Sequence, residues 1–239
     1  MQKLGLHRAA ALAGRPIVEP ALLAACVEWG GRLLPGSFFL FLAMLKARDL
    51  LTWIDRHEAA SGWAFYATLG SRISILLFFL LMVTLFVVRS RPRRKAAGFL
   101  PRATAILGTF SMSLVPLFPH RVWGPAQMIA GTLLTLVGGL LSVYVLAELG
   151  RSFSIMAEAR GLVTRGSYAL VRHPLYLAEE IAVLGVVVQS LSAMTLLVFA
   201  LHLFFQLRRM KNEEHVLGQA YPEYQAYQRR TARLIPGVY

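Results

Sequence analysis

The chain alternates long apolar blocks with short basic loops, and this alternation most restricts the folds open to it. The apolar residues run in blocks of helix length rather than in the repeating pattern of an amphipathic helix. Of the 239 residues, 56% are hydrophobic and 15% are charged, whereas a soluble domain carries about 25% charged residues. Because an open sheet would leave backbone groups unpaired in lipid, we predict an all-α, multi-pass transmembrane helical bundle of about six spans.

The apolar blocks predict where the membrane helices lie within a single integral membrane domain, residues 1–239. Pro35-Gly36 could break a helix, so we expect an interfacial helix near 21–34 before a first span around 37–54. Gly131 and Gly138-Gly139 would permit close packing between helices. The further spans are predicted at residues 63–88, 103–118, 126–149, 175–190 and 193–207.

The basic residues concentrate in a few loops, and their distribution predicts the orientation. The formal net charge is +13, and residues 89–95 form the densest basic run. Because basic loops tend to stay in the cytoplasm, we place this run, the loop 150–172, the tail 208–239 and both termini there. We expect an integral membrane protein, in the cell membrane if the source is bacterial. The charge favours contact with membrane lipid over nucleic acid.

A polar loop between two apolar blocks holds the strongest candidates for a functional site. Arg172 and His173 offer hydrogen-bond donors, and Pro174 fits the first turn of the helix that follows. A helix over 175–191 would rise ~25 Å, close to one bilayer crossing. A return helix would bring Glu213, an acceptor, back to the face that carries His173. The sequence therefore predicts a helical hairpin whose two ends build one site.

Several motifs follow one another at and after this loop: Leu162-Val163-Thr164-x-Gly166-x-Tyr168, Arg172-His173-Pro174-x-Tyr176, the hairpin, Glu213-Glu214 and Tyr221-x-x-Tyr224. In this ordered set the sequence resembles the isoprenylcysteine carboxyl methyltransferases, integral membrane enzymes that use S-adenosylmethionine; phospholipid methyltransferases share part of the pattern. The resemblance covers residues 144–236, and it implies a cofactor-binding region over 144–239 that follows N-terminal spans over 1–143.

The resemblance implies a cytoplasmic pocket for S-adenosylmethionine and assigns roles to single residues. Arg209 matches an arginine near the substrate carboxylate, and it shares a helical face with Glu213, four residues on. Its guanidinium could hold a carboxylate in a bidentate grip and orient the attacking oxygen. We predict no metal ligand. The cofactor-binding positions are Leu162, Val163, Tyr168, His173, Pro174, Leu175, Tyr176 and Glu213.

Two residues depart from the family pattern. Glu179 and Glu180 stand where family members have apolar residues, and carboxylates inside a membrane helix are costly unless they face a cavity. Because Tyr176 and Glu180 share a helical face, we expect Glu180 to border the pocket and contact the substrate; the alternative is a pair with Arg172. A negative wall disfavours an acidic acceptor nearby.

The activity we expect is methylation of a small lipophilic acceptor. A carboxylate, as in isoprenylcysteine-type carboxyl O-methylation, is the first acceptor, and phospholipid, amine and thiol acceptors stay open. The alternative is an NADPH-dependent reductase, because membrane sterol reductases resemble the tail with its Tyr-x-x-Tyr and Arg-x-Ile-Pro-like end. The pair Glu213-Glu214 favours a sulfonium cofactor over a phosphate-bearing one. The expected partners are this lipophilic substrate and membrane lipid, and the oligomeric state is left open.

Overall fold

A computed structural model of the chain describes residues 20–57, 62–119 and 124–237, and most of these are helical. Two short strands, β1 (Arg94–Lys95) and β2 (Glu158–Ala159), form an antiparallel pair outside the helices. The helices of the described residues are α1 (Pro20–Arg56), α2 (Trp63–Val88), α3 (Phe99–Phe110), α4 (Pro125–Leu149), α5 (Ser167–Leu170), α6 (Pro174–Gln189), α7 (Ala193–Ala220) and α8 (Tyr224–Arg230), with 3₁₀ segments at Ser111–Leu117 and Gly150–Ser152.

The predicted all-α, multi-pass bundle is confirmed. Among the described residues, three helices are long and apolar enough to cross a membrane: Trp63–Val88, Pro125–Ser152 and Ala193–Ala220. α6 has 16 residues, which gives a length of about 24 Å. The number of about six spans stays a prediction, since α1 carries many charges and α3 passes into a 3₁₀ segment.

The N-terminal part holds one long helix where an interfacial helix and a separate span were predicted. α1 runs unbroken over 37 residues with Pro35 inside it, so the predicted break at Pro35-Gly36 was wrong. Proline removes one backbone hydrogen bond from a helix, but the residues just after Pro35 pack against α2, and this packing supports the helix. Phe39 stacks on Phe86 with ring centroids 5.6 Å apart, and both are buried. Arg72, the charge inside α2, pairs with Asp49 of α1 at 2.6 Å.

Small residues allow α4 to pack closely against α6, as predicted for Gly131 and Gly138. A Cβ at Gly138 would clash with the backbone of Ala182, and one at Gly131 would lie 2.8 Å from the carbonyl oxygen of Gly185. Gly185 in turn approaches the backbone of α4. This contact fixes which face of α6 points away from α4, and that face carries the site.

The predicted helical hairpin is present, but its two helices diverge. Ser192 caps α7 by accepting a hydrogen bond from the backbone N–H of Thr195 at 3.1 Å. α6 packs mainly on α4, whereas α7 packs on α3 and the 3₁₀ segment that follows it. α7 also continues past the predicted end at 207 to Ala220. The divergence leaves a gap between α6 and α7.

The basic loops and the tail meet on one face of the bundle. The backbone N–H of Ser90 donates to the carbonyl of Arg151 at 2.8 Å, and β1 pairs with β2. The backbone N–H of Arg172 donates to the carbonyl of Ala232 at 2.8 Å. The face itself is therefore built by three segments far apart in sequence. Its cytoplasmic orientation stays a prediction, and the N-terminal segment 1–19 lies outside the described residues.

Cysteine labelling checks the orientation. In a Cys26→Ala background, Arg94→Cys and Arg230→Cys should react with an impermeant maleimide from the cytoplasmic side, because both side chains are exposed on the basic face. His57→Cys, at the far end of α1, serves as the control and should react from the other side. Labelling of Arg94→Cys and Arg230→Cys from opposite sides would contradict the topology.

Candidate functional site

A cavity of about 360 Å³ lies in the gap between α6 and α7 and reaches the motif loop, residues 150–172. Its volume falls in the range of small-molecule sites. α1 and α2 line one part with apolar side chains, among them Phe39 and Phe78. The loop, α6 and α7 line the other part with polar ones, among them His173, Arg209 and Glu213. The cavity thus joins an apolar wall to a charged one.

Most of the residues predicted to hold a cofactor lie on this cavity. Pro174 does not line it and instead begins α6, where its missing N–H leaves no hydrogen bond unmade. Whether the lining residues bind a cofactor stays a prediction. The predicted positions on the cavity wall are Leu162, Val163, Tyr168, His173, Leu175, Tyr176 and Glu213.

Arg209 and Glu213 lie on the same side of α7, as their spacing predicted, and Tyr176 of α6 links them. The hydroxyl of Tyr176 donates to the Glu213 carboxylate, while the Arg209 guanidinium lies 4.9 Å from the centroid of the Tyr176 ring. Arg209 also donates to Gln206 Oε1 at 2.7 Å. Arg209 is buried, and its Nε has no hydrogen-bond partner among the described residues. Arg209 Nη2 donates to the carbonyl of Ile155 at 3.4 Å, so Nε is the guanidinium nitrogen left without a partner among the described residues.

A glycine of α3 makes room for Arg209. A Cβ at Gly108 would lie 2.6 Å from Arg209 Cδ and 3.1 Å from Gln206 Oε1. The sequence analysis missed both Gly108 and Gln206. A single glycine in an apolar span carries no signal of its own, and only the packing of α3 on α7 shows its role.

Glu214 joins the loop, α7 and the tail. Its carboxylate accepts hydrogen bonds from Arg172 Nε at 2.9 Å and from Arg233 Nη2 at 2.7 Å, and it lies 3.1 Å from His173 Nε2. Glu213 lies on the same cavity as His173, as the hairpin predicted, but the carboxylate in contact with the His173 ring is that of Glu214. The two adjacent carboxylates therefore differ in role: Glu214 connects the loop and the tail to α7, and Glu213 faces the cavity.

The tail contributes two side chains to the cavity, although none of its residues was among the predicted cofactor positions. Tyr227 donates its hydroxyl to the carbonyl of Tyr168 at 2.6 Å, and both Tyr224 and Tyr227 line the cavity. The Tyr224 hydroxyl is buried without a hydrogen-bond partner among the described residues. Burial raises the pKa of Tyr168 and of Tyr224. Both phenols therefore stay protonated at neutral pH and can donate hydrogen bonds.

The structure corrects the position of Glu180. Glu179 lines the cavity, and Glu180 does not. Glu180 lies 2.9 Å from His202 Nε2 across the hairpin, and the predicted alternative, a pair with Arg172, is absent because Arg172 contacts Glu214. Adjacent residues of a helix differ by about 100° in direction. The packing of α6 on α4 sets its rotation so that Glu179, not Glu180, shares the cavity face with Tyr176.

Within residues 20–57, 62–119 and 124–237, no three side chains of His, Cys, Asp or Glu are grouped so that they could hold a metal ion.

Comparisons with known proteins match the C-terminal region. Residues 131–219 match the Isoprenylcysteine carboxyl methyltransferase (ICMT) family. This segment runs from the middle of α4 nearly to the end of α7, so it includes the motif loop, the hairpin and most of the polar cavity wall. The resemblance seen in the sequence is confirmed over these residues, and the family implies a methyltransferase of the membrane.

Two curated relatives have names that concern resistance to metals. The chain is 34% identical over 126 residues to the cobalt-zinc-cadmium resistance protein CzcN of Cupriavidus metallidurans. The aligned segment covers 50% of this chain and 56% of that protein. It is 31% identical over 123 residues to the nickel-cobalt-cadmium resistance protein NccN of Alcaligenes xylosoxydans xylosoxydans, covering 49% and 55%. The chain therefore spans about half the length of the curated relatives it matches.

Proposed function

Because residues 131–219 match a family of membrane methyltransferases, we propose that the cavity binds S-adenosylmethionine and that the chain methylates a small lipophilic acceptor there. A carboxylate, as in isoprenylcysteine-type carboxyl O-methylation, is the first acceptor. The observation that carries the proposal is one cavity that joins an apolar wall to Arg209 and Glu213. We further propose that this site faces the cytoplasm, from the distribution of Lys and Arg.

The side chains on the cavity fit this cofactor. Glu213 offers a carboxylate to a cationic or hydroxyl group, and the Tyr224 hydroxyl offers a donor with no partner among the described residues. Leu162 and Val163 give an apolar wall to a flat base. S-adenosylmethionine, when bound, would supply a methyl group already activated on a sulfonium sulfur.

The chain's own contribution is then binding and alignment. Arg209 would hold the acceptor carboxylate with its guanidinium, whose position is fixed by the Tyr176 ring and Gln206. A carboxylate is already ionised, so the reaction needs no general base. The apolar side chains of α1 and α2 would exclude water from the acceptor.

A second acceptor class is favoured by Glu179. Its carboxylate lies on the cavity wall and would repel an acidic acceptor but attract an amine. An amine or phospholipid headgroup is therefore the second candidate within the same reaction. The reductase alternative is less well supported, because residues 131–219 match a methyltransferase family.

Binding measurements on the detergent-solubilised protein test the proposal. We expect S-adenosylhomocysteine to bind and NADPH not to bind. Glu213→Ala and His173→Ala should each weaken S-adenosylhomocysteine binding by about tenfold or more, the scale for a lost hydrogen bond to a charged group. Calorimetric titration measures both ligands on all variants.

The control is Glu223→Ala, which removes an exposed carboxylate of the tail and should leave affinity unchanged. Circular dichroism confirms that each variant keeps its helices. Unchanged affinity in both folded cavity variants would contradict the assignment of this cavity to the cofactor. Tight binding of NADPH in place of S-adenosylhomocysteine would favour the reductase.

A further inference from the structure

A second pocket lies at the end of α2, outside the cavity described above. Arg32 of α1, Arg89 and Arg91 after α2, and Arg151 after α4 line it. Glu28 is the acidic side chain among its described lining residues. Four guanidinium groups therefore face one carboxylate, an excess of three positive charges in one pocket.

Backbone carbonyls at the end of α2 hold several of these arginines in place. Arg32 Nη1 donates to the carbonyl of Val87 at 2.6 Å, and Arg151 Nε donates to that of Val88 at 3.2 Å. Arg89 donates to the carbonyl of Gly31 in α1. These contacts fix the directions of the guanidinium groups, but carbonyls carry no formal charge. The excess positive charge is therefore positioned without being neutralised.

Glu28 neutralises only part of this charge. Its carboxylate oxygens lie 3.0 Å from Arg32 Nη2 and 2.7 Å from Arg91 Nη2, so both oxygens already pair with an arginine. Burial, followed by the nearby charge of Arg160, lowers the pKa of Arg89 to about 10, and the carboxylate of Glu158 offsets only part of this effect. The Nε of Arg89 is buried without a hydrogen-bond partner among the described residues. An anion in this pocket would neutralise part of its excess positive charge.

We propose that this pocket binds the phosphate of an anionic membrane phospholipid. Arginine matches phosphate oxygens with paired donors, and several guanidinium groups converge here. The pocket borders the last residues of the candidate span Trp63–Val88, at the depth where lipid headgroups lie. Beside it, α1 exposes Trp29, Leu33 and Leu34, an apolar surface for acyl chains with an aromatic residue suited to the interface.

The bound lipid would contact the segment that leads to the motif loop. Ser90, which lines the pocket, donates its backbone N–H to Arg151, and Arg93 donates its own to Ala159 in β2. The proposal concerns a site separate from the cavity, so it does not depend on the proposed methyl transfer. Its test needs neither the cofactor nor an acceptor.

Native mass spectrometry of the full chain in neutral detergent tests the proposal, with phosphatidylglycerol titrated against phosphatidylcholine. We expect one phosphatidylglycerol to bind in preference to phosphatidylcholine. Arg91→Gln should weaken that binding about fivefold, and Glu28→Gln should strengthen it by a similar factor, the effect of one charge near a lipid surface. Because Arg91 is 80% exposed, its replacement should leave the fold intact, which thermal unfolding verifies.

Arg94→Gln is the matched control, since Arg94 is an exposed cation of the same loop that does not line the pocket. It should leave phosphatidylglycerol binding unchanged. Equal losses in Arg91→Gln and Arg94→Gln would overturn the site in favour of diffuse attraction. Absence of any preference over phosphatidylcholine would overturn it as well. Displacement of phosphatidylglycerol by inorganic phosphate or glycerol phosphate at similar concentrations would overturn the lipid and leave a site for free phosphate.

Discussion

Replacing Glu214 by glutamine is expected to destabilise the folded protein by about 3–5 kcal/mol, the scale for removing one partner of a buried ion pair. The change keeps the shape of the side chain and removes its charge, which leaves the half-buried Arg172 and Arg233 without the buried carboxylate that they share. The motif loop and the tail should then detach from α7. Equilibrium unfolding in mixed micelles, followed by tryptophan fluorescence, measures the loss.

The adjacent carboxylate provides a control for this experiment. Glu213→Gln changes a side chain that faces the cavity and accepts from Tyr176 rather than holding the tail. It should retain most of the stability and lose cofactor affinity instead. A similar loss of stability in both variants, or none in Glu214→Gln, would show that Glu214 does not hold these segments together.

The helical bundle and the hairpin were predictable because their signals are local. A block of apolar residues has the length of a span wherever it lies, and Gly131 and Gly138 signal close packing through their size alone. The break at Pro35 was a local signal too, but it was overridden, since contacts such as Phe39 with Phe86 support the helix beyond the proline.

The cavity was predictable only in part, because its walls depend on how the helices rotate against one another. The prediction that motif residues lie close together was possible because the second helix of a hairpin ends near the start of the first. The choice between Glu179 and Glu180 depends on the contact of α6 with α4, which the sequence of α6 does not contain. The role of Glu214 likewise depends on Arg233, in a tail whose path is set by contacts with the loop.

Replacing Arg209 by alanine is expected to reduce use of a carboxylate acceptor by at least ~2 kcal/mol, roughly thirtyfold in kcat/KM. The variant removes the guanidinium that lies on the Tyr176 ring and leaves an acceptor anion unpaired in a largely apolar cavity. Methyl transfer cancels charge, and a dry site favours that change only once the anion has been brought in. Turnover of labelled S-adenosylmethionine with a prenylated cysteine acceptor measures the effect.

Two further variants, Arg208→Ala and Arg209→Lys, test whether the effect depends on the position of Arg209 and on its guanidinium rather than on positive charge alone. Arg208→Ala removes an exposed cation from the next position of α7 and should leave turnover unchanged, which excludes a general effect of basic charge. Arg209→Lys should recover only part of the activity, because an ammonium lacks the planar pair of donors. S-adenosylhomocysteine affinity should change little in all three variants, since Glu213 and His173 remain. If Arg209→Ala turns over the carboxylate normally, the acceptor is not an acid held by this arginine, and the carboxylate of Glu179 makes an amine the better assignment.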